Sequence, residues 1–274
     1  MKEQLRFDGT LRYIDTHWPT ILLGYGGGSL LILLTILVSF RLGWWAFVLP
    51  ALAASLILAY FFVAMLWAAH EQYDKRENLD HHILFNLSNL EPTDSFAHVN
   101  LGSRITAIGL SRRLTSGHVS VIDVYNPQLT PGRALVRMRH RNAHPPADPR
   151  LTWLDGSIYL LPLPDSSVKV VTMSRMLSEF WQHGDRLRLL QEIDRVLVPG
   201  GRLLLAERTR TETNALVMGT GVLKLAPAGY WQALLQEAGF NVRHEQNVRG
   251  LVHYWRADKP YPNQPRQLSF DFGL

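Results

Sequence analysis

The sequence predicts an α/β domain with a mostly parallel sheet, preceded by a two-helix transmembrane hairpin. Three observations carry that expectation. Two long apolar runs, residues 20–40 and 44–69, are separated only by Arg41-Leu42-Gly43, and neither contains Asp, Glu, Lys or Arg. Beyond a polar connector, short β-rich apolar segments alternate with amphipathic helical ones. A Pro199-Gly200-Gly201 turn then joins one such helix to an apolar strand.

Each apolar run exceeds the roughly 20 residues needed to cross about 30 Å of hydrocarbon. Backbone groups in lipid must be satisfied within the segment, so each run should be a helix. The first run begins late, follows a segment of mixed charge and is succeeded at once by a second span, which argues against a cleaved leader. Trp18, Trp44, Trp45 and Trp67 stand at the two depths where aromatic belts lie. Lys2, Arg6 and Arg12 precede the hairpin and Lys75 and Arg76 follow it, whereas only Arg41 sits in the turn. Positive charge stays inside, so both termini and the globular domain are expected on the cytoplasmic side of the inner membrane. Gly24-Tyr25-Gly26-Gly27-Gly28-Ser29 lacks the preceding strand that a nucleotide loop requires. Gly24 and Gly28 have small-xxx-small spacing, which suits close approach of the second span or of another membrane protein. Pro50 falls near the start of the second span, where a missing amide does little harm.

The expected divisions are an N-terminal cytoplasmic segment (1–19), the hairpin (20–70), a connector (71–94), the α/β domain (95–259) and a tail (260–274). The connector should prolong the second helix and then become a surface segment, with His81 and His82 solvated. The last residues, 268–274, are apolar enough to dock on something. The chain has 274 residues and no cysteine, which excludes disulfides and thiol chemistry and suits a reducing cytosol. Its net charge of +5 suits a domain held near anionic headgroups. No basic run with interleaved aromatics appears, so nucleic acid is not an expected partner.

Within the domain, strands are expected at 97–101, 118–122 (ending in Asp123), 151–154 (ending in Asp155), 168–174 and 202–206, with a final pair at 240–245 and 250–257. Helices should cover 106–114, 131–142, 185–197 and 227–238. Alternation of this kind implies a parallel sheet covered on both faces. Ligands in such sheets bind beyond the carboxyl ends of the strands.

Two stretches carry a family resemblance. One is Leu154-Asp155-Gly156-Ser157 followed by Leu-Pro-Leu-Pro-Asp165 and the strand to Val171; the other runs Leu190-Gln-Glu-Ile-Asp-Arg-Val-Leu-Val-Pro199-Gly200-Gly201-Arg-Leu-Leu-Leu-Ala-Glu207. Over about residues 95–257 the chain resembles class I S-adenosylmethionine-dependent methyltransferases, and among them the subgroup that contains ubiquinone/menaquinone C-methyltransferases. The resemblance implies a Rossmann-like methyltransferase fold on a seven-stranded sheet, with S-adenosylmethionine as cofactor. It assigns the ribose hydroxyls to Asp123, with Val124 beside it, since a carboxylate accepts two charge-assisted hydrogen bonds from a diol. It places the adenine side at Asp155, Gly156 and Ser157, and adds Ser174 at the end of the fourth strand. In the glycine loop Asn100 and Gly102 occupy cofactor-binding positions, but Asn100 replaces an acid, while Arg104 and Thr106 stand where glycine is expected. Lys169 likewise replaces an acidic residue. Side chains at 104 and 106 would fill space meant for the cofactor's tail, although Arg104 could pair with its carboxylate.

The implied reaction is methyl displacement to a nucleophilic carbon or oxygen, helped mainly by alignment and exclusion of water. An acidic acceptor needs a base, for which Glu179 and His183 are the candidates. Tyr230 and Trp231 either line an acceptor pocket or pack a helix. His140 and His144 have i, i+4 spacing, but the second abuts Pro145-Pro146, so no metal site is expected. Arg133, Arg137, Arg139 and Arg141 form a solvated helix face or one that meets headgroups or an acidic partner. Confinement to a bilayer favours a lipophilic acceptor such as a quinone, a lipid or a tetrapyrrole. Two functions therefore stand open: a membrane-anchored methyltransferase acting on such an acceptor, or a catalytically inactive accessory subunit of an integral membrane protein complex.

Overall fold

The computed structural model describes residues 7–141 and 147–262. His144, Pro145, Pro146 and the apolar end of the tail lie outside the described residues. The chain forms two compact units, one running to Arg76 and including Glu212–Val222, the other comprising Glu77–Thr211 and the chain from Leu223 onward.

In the first unit, α1 (Asp8–Ile21) and α2 (Gly27–Leu42) join through a π-helical stretch, Leu22–Gly26, into one helix. The helix reaches further back than the apolar run because a distant carboxylate caps it. Asp74 accepts hydrogen bonds from the Gly9 amide (2.7 Å) and the Thr10 amide (3.2 Å), two first-turn donors with no partner within the helix. Gly43 ends α2 at φ +70°, a left-handed conformation that glycine adopts without strain. A short 3-10 turn, Trp45–Phe47, leads into α3 (Val48–Tyr73), which holds Pro50 in its first turn. Of the two spaced glycines, Gly28 faces Leu58 of α3, where a Cβ would lie 3.4 Å from a leucine methyl, while Gly24 has open space around it. α8 (Glu212–Met218) completes the unit by packing on α3.

The two long helices keep their apolar surfaces uncovered: in the most apolar window of each, 0% and 6% of residues are buried. A core helix of a soluble protein would be mostly covered, since leaving a leucine in water forfeits about 2 kcal/mol relative to burying it.

The second unit is a seven-stranded sheet in the order β3-β2-β1-β4-β5-β7-β6. Its strands are β1 (Phe96–Asn100), β2 (Val119–Asp123), β3 (Leu151–Asp155), β4 (Val168–Ser174), β5 (Leu197–Glu207), β6 (Asn241–Val248) and β7 (Val252–Asp258). β7 runs antiparallel to both neighbours, and the other pairings are parallel. The helices are α4 (Asp80–Ser88), α5 (Arg104–Ser111), α6 (Arg133–Arg141), α7 (His183–Val196) and α9 (Ala228–Glu237). Strand alternation sorts them by face. Val171, Met173, Leu203 and Leu205 share a core with Leu190, Ile193, Trp231 and Leu235 of α7 and α9. The intervening residues point the other way, where α4 packs on α5, β4, β5 and β7.

Pro199-Gly200-Gly201 lies inside β5, opposite a break in register between Val168 and Val170. Gly200 takes φ +75°, and a Cβ on Gly201 would sit 2.7 Å from the Val198 carbonyl. Both positions therefore need glycine. The expected surface segment at 80–88 is instead α4, with Ile83, Leu84 and Phe85 buried. Its Asp80 is the anchor: the carboxylate pairs with Arg175 (2.8 Å), accepts from the Tyr254 hydroxyl (2.7 Å) and bonds to the Ser174 hydroxyl. Burial pushes its pKa up, but Arg175 and the two hydroxyls outweigh that and hold it below the ordinary carboxylate value. His81 is not solvated either. It packs against Gly109 of α5, and burial, with the charge of His82, lowers its pKa to about 4.

Candidate cofactor and acceptor site

The sheet changes direction between β1 and β4, and the site grows from the strand ends on either side of that point. On the β1 side Asn100 shapes the loop. Its Oδ1 accepts from the Gly102 amide (2.8 Å) and its Nδ2 donates to the Ser103 carbonyl (3.1 Å). Gly102 takes φ +90°. Asn100 thus closes the loop as a neutral side chain, without the charge an acid would bring. Arg104 turns aside, its guanidinium 5.6 Å from the centroid of the Trp153 ring, and Thr106 is buried.

β1, β2 and β3 are in parallel register, with Asn100 opposite Asp123 and Asp123 opposite Asp155. The two carboxylates therefore stand on adjacent strand ends. Val124 is buried and its amide donates to the Asn100 carbonyl (3.1 Å). Gly156 donates to the Asp123 carbonyl (2.9 Å), and a Cβ there would lie 2.6 Å from Ile122, so only glycine fits. Ser157 exchanges backbone hydrogen bonds with Leu160 and closes the turn after β3.

Arg139 of α6 was not singled out by sequence from its three arginine neighbours, yet it is the residue that enters the site. Its Nη1 donates to both Asp123 oxygens, at 2.9 and 2.6 Å, and its guanidinium lies 4.0 Å from the centroid of the Tyr125 ring. The same Nη1 is 2.2 Å from where a Cβ on Gly102 would stand. The cradle above Gly102 is thus open to a ligand's approach on the backbone side but filled by one flexible side chain. The only trace in the sequence was the crowding of arginines on a short helix.

Four candidates stand elsewhere. Ser174 faces α4, where its hydroxyl is bound to Asp80, so the structure gives it a structural partner in place of the cofactor. His183 sits on the surface between α7 and α9, its Nδ1 3.1 Å from the Tyr230 hydroxyl and its Nε2 3.0 Å from Glu237. Trp231 is buried in the α7–α9 core and Tyr230 takes a hydrogen bond from Arg186 (2.8 Å), which favours packing over an acceptor pocket.

Beyond β4 and β5 lie a buried carboxyl and a half-buried one. Glu207, which sequence reading took only as the end of a motif, is fully buried. Its Oε1 accepts from the Leu177 amide (2.7 Å) and the Ser178 amide (3.4 Å), while its Oε2 has no hydrogen-bond partner among the described residues. Burial pushes its pKa up to about 7, with the charge of nearby Glu179 adding to the shift. Burial raises Glu179 as well, against the pull of Arg208. Both carboxyls are thus held above the ordinary carboxylate value, the direction an acid–base group needs.

Residues 99–205 match a family model described as a methyltransferase domain. In fold the chain is similar to a SAM-dependent methyltransferase from Aquifex aeolicus, with 19% identity and a TM-score of 0.51 over 68% of this chain and 94% of that one. It is also similar to a chain of the complex between the Haloferax volcanii Trm112 methyltransferase activator and its methyltransferase, with 16% identity and a TM-score of 0.52 over 76% and 99% of the two chains. Residues 99–205 thus form a methyltransferase domain and the two solved structures share its fold; the group to be fitted is the S-adenosylmethionine that the sequence resemblance implies. The residues present suit that group: acids on adjacent strand ends, a positive-φ glycine, and a cradle where, among the described residues, the side chain of Arg139 stands nearest.

Proposed function

We propose that this protein is a membrane-anchored S-adenosylmethionine-dependent methyltransferase that acts on a lipophilic acceptor, of the quinone, lipid or tetrapyrrole class. The observation that carries the reading is the union in one chain of a methyltransferase domain with two long helices whose apolar surfaces are uncovered. Such helices suit a bilayer, and the charge pattern around them suits a hairpin with both termini and the α/β unit on the cytoplasmic side. The connection leaving β5 supports the same reading, because the chain passes five residues after Glu207 into α8, which packs on α3 within the hairpin unit.

When bound, S-adenosylmethionine supplies a methyl group already activated on a sulfonium. Asp123 would hold the ribose diol, and Asp155 with Gly156 would flank the base. Asn100 fixes the loop that lets the backbone approach. Glu179, half-buried beside Glu207, would take the proton that an acidic acceptor releases at its nucleophilic atom.

A second reading rests on a specific observation. Arg139 covers both Gly102 and Asp123, and Arg104 and Thr106 replace loop glycines, which favours a methyltransferase-like subunit of a membrane complex without activity of its own. Purified protein in lipid nanodiscs, given methyl-labelled S-adenosylmethionine and a bacterial lipid extract, separates the two. Label is expected in the organic phase, lost in Asp123→Ala. Folded protein that neither labels the extract nor binds S-adenosylhomocysteine would leave the accessory role.

A further inference from the structure

We propose that Arg139 is a latch on the cofactor site, a side chain that must leave Asp123 and the Gly102 cradle before the cofactor can bind. The inference rests on the reading of Asp123 and Gly102 as the cofactor cradle. One guanidinium closes both features: it donates to both Asp123 oxygens, lies on the Tyr125 ring and occupies the space over Gly102. A ribose diol and Arg139 would satisfy the same two carboxylate oxygens, so they compete for them.

The latch is held in place by its helix. Leu135 of α6 is buried and Met138 packs on the core, which leaves Arg139 aimed at the strand ends without freedom to drift far. Arg133, at the first position of α6, is exposed and Arg139 is not, so the two arginines have different duties. In such a competition the apparent affinity for the cofactor is the intrinsic affinity scaled by the fraction of molecules with the latch open. Any partner or surface that draws Arg139 away would therefore tighten cofactor binding without touching the cofactor.

The test is calorimetric titration of the full chain in detergent with S-adenosylhomocysteine, alongside hydrogen exchange of the amides of residues 133–141. Arg139→Ala should bind at least about fivefold more tightly than the unaltered protein. Arg139→Gln, which keeps the length and removes the charge, should move in the same direction, and Arg133→Ala should change nothing. In the unaltered protein, ligand should speed exchange across α6. Equal affinity for Arg139→Ala and the unaltered protein overturns the latch and leaves the cofactor reading intact. Weaker binding by Arg139→Ala also overturns it and makes Arg139 a direct ligand instead. If neither protein binds while both melt as folded chains, the cofactor reading falls and the latch falls with it.

Discussion

The two halves of the sheet are held in different ways. Both hold buried inner strands (β1 on one side, β4, β5 and β7 on the other) and an exposed edge, β3 or β6, so the difference lies in what their side chains bind. Apart from Leu154-Asp155-Gly156-Ser157 at the end of β3, the motifs that carry the family resemblance lie around β4 and β5, and there their side chains hold one another. Arg195 of α7 donates to the Leu161 and Leu163 carbonyls and pairs with Asp165, while Glu192 accepts from the Leu161 amide (3.1 Å). The Leu-Pro-Leu-Pro-Asp run and the helix before Pro199 are thus one interlocked structure. Of the departures from the family pattern, Lys169 lies in β4, while Asn100, Arg104 and Thr106 gather at and after the end of β1 in the other half. If that loop holds the cofactor as proposed, changes there should alter binding before they alter the fold.

That contrast predicts a graded series of effects. The largest is expected at Asp80. Asp80→Ala removes the carboxylate paired with Arg175 and strips a partner from each of Ser174 and Tyr254, and breaking a buried ion pair from one side costs about 3–5 kcal/mol. The α/β unit should melt well below the unaltered protein; an unchanged midpoint would show that α4 is not an anchor of the sheet.

Glu207 gives the next effect, and its sign follows from linkage. Its folded pKa of about 7 stands above an ordinary value of 4.5, so the folded state holds the proton more tightly than the unfolded chain does. Stability should therefore fall as pH rises from about 4.5 to about 7 and level off above that. Glu207→Gln keeps the shape and removes the titration, so it should flatten the profile and stabilise the protein at pH 8 by up to about 3 kcal/mol. Parallel melting curves for the two proteins across that range would show that Glu207 is not the buried acid.

Much of this could be read from the chain, for physical reasons that differ by region. Strand and helix alternation placed every strand of the α/β unit to within a few residues, because the core strands are β-branched and apolar and the helices carry a periodic apolar face. The resemblance assigned cofactor positions to Asp123 and Asp155, and the expected strand ends put both on adjacent strands, where the structure has them. α4 was missed: its nine residues are anchored by Asp80, whose partners lie more than ninety residues away, and no local pattern announces such a bond. The start of α1 was missed likewise, since its cap comes from Asp74. Arg139 was hidden among similar residues, and only the packing of Leu135 and Met138 tells which arginine of α6 turns inward.

The smallest stability effect and the clearest functional one are expected together at Asp123. Its pair with Arg139 is partly open to water, with side-chain exposures of 24% and 28%, so its loss should change the melting midpoint by no more than about 1 kcal/mol. Binding should respond far more strongly if the carboxylate holds the cofactor's diol as proposed. Asp123→Ala should weaken S-adenosylhomocysteine binding by at least about tenfold, the worth of one charge-assisted hydrogen bond. The double variant with Arg139→Ala sharpens the comparison. If Arg139 acts only through Asp123, removing it in the Asp123→Ala background should give little of the tightening it gives alone. A full gain in that background would mean that the guanidinium blocks the cradle over Gly102 by bulk, and that the ion pair merely parks it there.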